Sequence, residues 1–160
     1  MAEPRLRQRI AAGALVVEGE RLLLVHHVLA GVHDFWVPPG GGVTGRESLP
    51  DAAKREVAEE SGLEVEILRL AYIDELIISD TRQCKFWFLA RAIGGTLCVD
   101  AAAARAEHIV EAAFFAPGEL QGKTVFPHIL RDQFRDHLRE GFTQPRYLGV
   151  REAEVQYPAA

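Results

Sequence analysis

Aliphatic and polar positions alternate between two periods along this chain. "IAAGALVVEG" (10–19) and "RLLLVHHV" (21–28) are rich in β-branched and aliphatic residues and predict two strands joined by a tight turn. In "DFWVPPGGGV" (34–43), Trp36 and Val37 end a strand before the prolines and three glycines force a loop. The period then becomes helical. Ser48 and Asp51 have capping-box spacing, Pro50 sits in the first turn, and Gly62 stops the helix. "EVEILRLAYIDELI" (64–77) predicts one or two strands, and "CKFWFLARAI" (84–93) another, closed by two glycines. "DAAAARAEH" (100–108) is expected to be a loop or short turn, and "HIVEAAFFA" (108–116) a short strand. "FPHILRDQFRDHLREG" (126–141) places Phe126, Ile129, Leu130, Phe134 and Leu138 at helical spacing, which predicts a second helix. That stripe is core, with a homodimer contact as the second reading. "YLGVREAEVQY" (147–157) adds a last short strand. Sequence-adjacent hairpins interspersed with helices indicate an α+β class, a mixed β-sheet with helices packed against it.

Composition narrows the function classes. A chain of 160 residues with 48% hydrophobic positions fits a single domain, 1–160, with a real core. The formal charge of -5 is spread along the chain and forms no basic patch, so nucleic acid is not an expected partner. A phosphate-bearing partner needs bridging cations or a locally basic site. Cys84 and Cys98 lie in no CxxC, which favours reduced thiols and a cytoplasmic location. The first ten residues lack the apolar core of a signal peptide, and no apolar run is long enough to span a membrane.

The first helix raises a question of charge. At 100° per residue, Glu56 and Glu60 fall nearly in line, and Glu59 lies about 60° from Glu56. Ala53 and Val57 are beside them, so these carboxylates border the packed face. Partly buried like charges are costly unless something neutralises them. A hard divalent cation, Mg²⁺ or Mn²⁺, is the economical answer for oxygen ligands. Arg55 is within reach of Glu59 or Glu47, and its guanidinium would hold a carboxylate in one orientation. Gly40, Gly41 and Gly42 let backbone approach a ligand closely and free carbonyls for a metal.

These residues resemble the Nudix box, Gly-x5-Glu-x7-Arg-Glu-apolar-x-Glu-Glu-x-Gly-apolar. Gly41, Glu47, Arg55, Glu56, Val57, Glu59, Glu60, Gly62 and Leu63 match every fixed position. The preceding "WVPPGG" resembles the family's aromatic-x-x-Pro-Gly-Gly lead-in, and the order of elements extends the likeness to most of the domain. The resemblance implies an α/β/α sandwich and metal-dependent hydrolysis of a nucleoside diphosphate linked to another group, with water attacking phosphorus. It implies that Glu56, Glu59, Glu60 and the carbonyl of Gly40 hold the metal, that one glutamate, Glu56 foremost, acts as base, and that Glu47 and Arg55 orient the set. Gly41 and Gly42 would admit the phosphate chain. The family's further loop carboxylate would be Glu107, with Glu111 and Asp100 as alternatives. A non-catalytic Nudix-fold module that binds nucleotide is the alternative function, although such modules usually lose box residues.

Other candidates are weaker. His26 and His27 are adjacent on a strand, so they point to opposite faces and make a poor zinc pair. They read as surface or pocket histidines, with His27 or His33 available to substrate phosphates. Trp36, beside the glycine loop, is expected to stack on a nucleobase. Phe86 and Phe88, or else Trp87, belong to the core. Family subgroups carry a marker some fifteen residues past the box: proline in ADP-ribose hydrolases, tyrosine in diadenosine polyphosphate hydrolases. Residues 77–80 are "IISD", which tells against both. A ligand sensor would need an attached DNA-binding module, for which the chain leaves no room.

Overall fold

A computed structural model describes residue 1 and residues 3–153. Eight strands form one mixed sheet: β1 (Arg7–Glu18), β2 (Arg21–Leu29), β3 (His33–Val37), β4 (Gly40–Gly42), β5 (Leu63–Ile78), β6 (Thr81–Gly95), β7 (Ile109–Phe115) and β8 (Arg146–Ala153). Their order is β3-β2-β1-β6-β5-β8, with β4 pairing β1 and β7 pairing β2. The β1–β6 and β5–β8 pairs are parallel and the others antiparallel. Irregular register along β5 bends the two longest strands, as bulges do. The helices are α1 (Leu49–Ser61), α2 (Ala101–Glu107), α3 (Ile129–Asp132) and α4 (Phe134–Glu140).

Strand alternation gives the sheet two packed faces. Ala12, Ala14, Val16 and Leu23 join Ala52, Ala53 and Val57 of α1 in one core. Leu15, Leu22 and Leu24 point the other way, into a second core with Leu130, Phe134 and Phe142. Helices thus cover both faces of a mixed sheet, as expected. Ser48 caps α1, its Oγ accepting from the Asp51 amide at 3.2 Å. Gly62 ends it at φ 75°, a left-handed conformation that favours glycine.

Two expectations need correction. Residues 100–108 hold a helix, α2, instead of a loop. Alanine has the highest helix propensity, and the Asp100 carboxylate accepts from the Ala102 amide at 2.6 Å. The second predicted helix is divided into α3 and α4, because Gln133 adopts the non-helical φ -130°, ψ -10°. Leu130 and Phe134 are core, with Ile129 and Leu138 packed against them, but Phe126 precedes both helices. The last strand runs from Arg146 to Ala153, and positions 154–157 of the predicted strand lie outside the described residues.

Candidate active site

The sheet register lays out a floor of aligned rows. Arg9 pairs Gln83, Gln83 pairs Leu76, and Leu76 pairs Arg151. In the next row Ala11 pairs Lys85 and Lys85 pairs Asp74, followed by Gly13 with Trp87. Residues paired across strands share a face. Arg9, Gln83, Lys85, Trp87, Asp74, Leu76 and Arg151 therefore line one cleft of about 600 Å³. Phe35, Phe126 and Pro127 form a wall, and Gly40, Gly41, His27 and Glu107 close one end.

Helix α1 presents its glutamates to that closed end. Glu56 is 5% and Glu60 2% exposed, whereas the Glu59 side chain is 51% exposed. The predicted carboxylate face is thus two buried groups with Glu59 at its outer edge. One oxygen of each buried pair member, Glu56 Oε2 and Glu60 Oε2, has no hydrogen-bond partner. Glu60 Oε1 accepts from the Gly40 amide at 3.4 Å. At Gly41 a Cβ would stand 2.5 Å from Glu56 Oε1, so any side chain there would displace that carboxylate.

Arg55 binds the rest of the set. It donates to both oxygens of Glu47 at 2.6 and 3.0 Å, to Glu56 Oε1 at 2.8 Å and to the Gly42 carbonyl at 3.1 Å. It also meets Glu59 at 3.3 Å. The Arg55 hydrogen bonds, and after them the Thr44 amide, hold the Glu47 carboxyl down to about 2. Glu47 in turn raises Arg55 above its ordinary value.

The other electrostatics follow from burial. Burial, and next the charge of Glu107, pushes Glu60 well above the usual carboxylate range. Burial, then Glu56, raises Glu107. Lys85 is lowered by its own burial, against the pull of Glu60 and Glu56. Its ammonium lies 4.2 Å over the Trp87 ring. Burial lowers His27 to about 4, and its Nδ1 is 2.9 Å from the Glu107 carbonyl.

The structure brings Glu47, Arg55, Glu56, Glu60 and Gly42 together beside Gly40, Gly41 and Glu107, which line the cleft. The alternatives to Glu107 lie elsewhere in role: Asp100 caps α2, and Glu111 is exposed on β7 opposite His26. Trp36 is not in the cleft. It is 7% exposed and stacks on His26 at 4.2 Å in the core. Alternation along β3 explains the difference, since Phe35 and Val37 take the cleft side. Phe88 and Phe86 pack with the α1 core, and Trp87 belongs to the other core and floors the cleft.

Lys85, Arg9 and Asp74 were not anticipated. A signal existed for two of them. Lys85 has the parity of Trp87, and Asp74 the parity of Tyr72, Leu76 and Ile78. Each is a charge at an inward position of a core strand, where charges are seldom left without a function or partner. Arg9 carries no such mark, because it precedes the apolar part of β1.

A family model, the NUDIX domain, matches residues 7–136, and the chain belongs to this family. It is 34% identical over 99 residues to "8-oxo-dGDP phosphatase NUDT18" from Homo sapiens, a match covering 60% of this chain and 30% of that protein. The Mus musculus protein of that name is 33% identical over 96 residues, covering 58% and 29%. The chain thus spans about a third of the length of these curated relatives. Among solved structures, a Nudix hydrolase from Nitrosomonas europaea superposes with a TM-score of 0.72 at 20% identity, over 92% of this chain and 80% of that one. An ADP-ribose pyrophosphatase from Streptococcus suis gives 0.65 at 22%, over 87% and 98%. At these identities the likeness establishes the fold.

Proposed function

We propose that the chain hydrolyses the diphosphate linkage of a nucleoside diphosphate derivative (a nucleoside triphosphate, nucleotide sugar or dinucleotide) with a divalent metal, water attacking phosphorus. The observation that carries this reading is the pair of unpartnered buried oxygens, Glu56 Oε2 and Glu60 Oε2, on carboxylates packed against Gly40 and Gly41 at the edge of a large cleft. Buried carboxylate oxygens without donors are costly, and they suit a hard cation. Glu56, Glu59, Glu60 and the Gly40 carbonyl would hold it. Bound Mg²⁺ or Mn²⁺ neutralises diphosphate oxygens and makes water more acidic.

The chain's own groups do the rest. Arg55, itself held by Glu47, fixes the orientation of Glu56, which takes the proton of the attacking water. The bond from the attacked phosphorus to the bridging oxygen breaks, and the leaving phosphate keeps that oxygen. Lys85 and Arg9 offer charge to the phosphates from the floor. Gly41 and Gly42 let the phosphate chain approach the backbone, and Phe35 with Phe126 walls the space for a base or sugar. The names of the curated relatives support a nucleotide carrying a diphosphate. A screen of nucleoside diphosphate derivatives with Mg²⁺ and Mn²⁺, run in ¹⁸O-water, tests the reading. Expected are metal-dependent cleavage, abolished by chelator, and ¹⁸O in a phosphate-bearing product. Full activity in excess chelator overturns the metal, and binding without cleavage across the panel overturns the hydrolysis.

A further inference from the structure

His27 stands at the closed end of the cleft beside Gly40, Gly41 and Glu107, and it comes from β2, outside the box. Its position is built by three features. The β2–β7 register shifts between His26 and His27, so that His26 pairs Glu111 while His27 pairs Ile109. Such a bulge re-aims a side chain. The ring is stacked on Phe35, with centroids 5.1 Å apart and an interplanar angle of 11°. Its Nδ1 is 2.9 Å from the Glu107 carbonyl oxygen, which can only accept. Nδ1 therefore carries the proton, and Nε2 keeps the lone pair. A backbone carbonyl on the second ring nitrogen is how metal-ligating imidazoles are commonly oriented.

His27, Glu60 and Glu107 each bring one donor atom within 4.8 Å of the others. Glu60 is 2% exposed, and its Oε2 has no partner. The three come from different elements: β2, α1 and the end of α2. We infer that His27, Glu60 and Glu107 form an imidazole-containing cation site at the closed end of the cleft, selective for Mn²⁺ or Co²⁺ over Mg²⁺. This rests on the reading that the carboxylate cluster takes a divalent cation, and not on hydrolysis. Nitrogen donors suit transition ions, whereas Mg²⁺ takes oxygen ligands. A His ligand therefore shifts the preference without adding charge.

The test measures binding apart from turnover. Mn²⁺ and Mg²⁺ affinities are determined by calorimetry on the full chain and on His27→Gln, with folding checked by circular dichroism. Pulsed EPR on the Mn²⁺-loaded proteins reads ¹⁴N coupling. Expected in the wild type are tighter Mn²⁺ binding and a directly coordinated nitrogen. In His27→Gln the nitrogen signal should vanish and Mn²⁺ affinity should fall about tenfold or more, since even disturbing the groups that orient a ligand costs that much. Mg²⁺ affinity should change by less than about threefold, there being no Mg–imidazole bond to lose. His33→Gln, which leaves this cluster intact, should keep the nitrogen signal. Absence of nitrogen coupling, absence of Mn²⁺ binding, or equal loss for both ions overturns the proposal. So does a His27→Gln protein that binds Mn²⁺ normally but has a raised KM, which would make His27 a phosphate contact. Nitrogen coupling in a protein that cleaves nothing would leave the site standing and remove the proposed reaction, and cleavage without nitrogen coupling would do the reverse.

Discussion

Replacing Glu60 by Gln isolates the cost of crowding carboxylates. Glu60 is almost completely buried, receives only a long 3.4 Å bond from the Gly40 amide, and leaves Oε2 unpartnered. Gln keeps the shape and the acceptor, removes the charge and turns its amide toward neighbouring carboxylates. An unsatisfied buried group costs about 1–3 kcal/mol, more when charged. Metal-free Glu60→Gln should therefore gain on the order of 2 kcal/mol, a Tm rise of about 4–8 °C for a domain of this size. The pH dependence has a definite sign. Native Glu60 binds its proton more tightly than an ordinary carboxyl at 4.5. As pH rises above that value the unfolded chain loses a proton that the native chain keeps. Wild-type stability then falls until Glu60's own raised value is passed. The gap between variant and wild type should be smallest in acid and widen toward neutrality. Added Mn²⁺ at a hundred times the wild-type Kd should reverse the order, since it stabilises the wild type by about 2.7 kcal/mol and, with a ligand lost, the variant by under about 0.7 kcal/mol. Scanning calorimetry in chelator, then in Mn²⁺, over several pH values is the assay. A Glu60→Gln protein that melts lower than wild type in chelator at neutral pH refutes the reasoning, because Glu60 would then be making a structural bond.

Two substitutions address geometry. Gly41→Ala puts a Cβ 2.5 Å from Glu56 Oε1, so the carboxylate must shift, and kcat should fall by about 10²-fold as it does for misplaced catalytic groups; wild-type kcat in steady-state assays would show the glycine unnecessary. Trp36→Ala, in the core, should lose about 3–5 kcal/mol in denaturant unfolding. Phe35→Ala, on the cleft wall, should instead raise KM with little change in kcat, and the opposite pairing of effects would return Trp36 to the substrate.

What the linear sequence reveals here depends on how local the cause is. The cap at Ser48, the stop at Gly62 and the burial of Glu56 and Glu60 all lie within one helix and its 3.6-residue period. They are readable because no distant partner decides them. Strand faces are different. Alternation says that Phe35 and Trp36 must separate, but which of them faces the cleft is decided by how β3 sits on β2. The same holds for His26 and His27, where the bulge against β7 selects His27. Lys85, Asp74 and Arg9 meet only through the register of β1, β5, β6 and β8, which a single strand's pattern does not encode. The break at Gln133 is likewise invisible, because the apolar spacing on both sides continues a helical period.

The charge distribution implies an order of binding. At the closed end, Arg55 is occupied by Glu47, Glu56, Glu59 and the Gly42 carbonyl, which leaves it little to give a substrate. Lys85 is partly buried, and Glu60, Glu56 and Asp74 already act on its charge. Glu60 and Glu107, once they ionise above their raised values, add negative charge beyond what these cations balance. A diphosphate entering the metal-free cleft would therefore meet carboxylates at a few ångströms in a partly dry site, where Coulomb repulsion is much stronger than in water. A divalent ion changes the sign of that encounter. A non-hydrolysable nucleoside diphosphate analogue should bind at least about tenfold more weakly in chelator than in Mg²⁺, a loss of about 1.4 kcal/mol or more. In Glu60→Gln the chelator affinity should partly recover at pH values where native Glu60 is ionised, since one repelling charge has then gone. Isothermal titration measures both arms. Equal analogue affinity with and without metal would mean that Arg9 and Lys85 alone capture the phosphates, and the glutamate helix would then act on the attacking water without contributing to substrate binding.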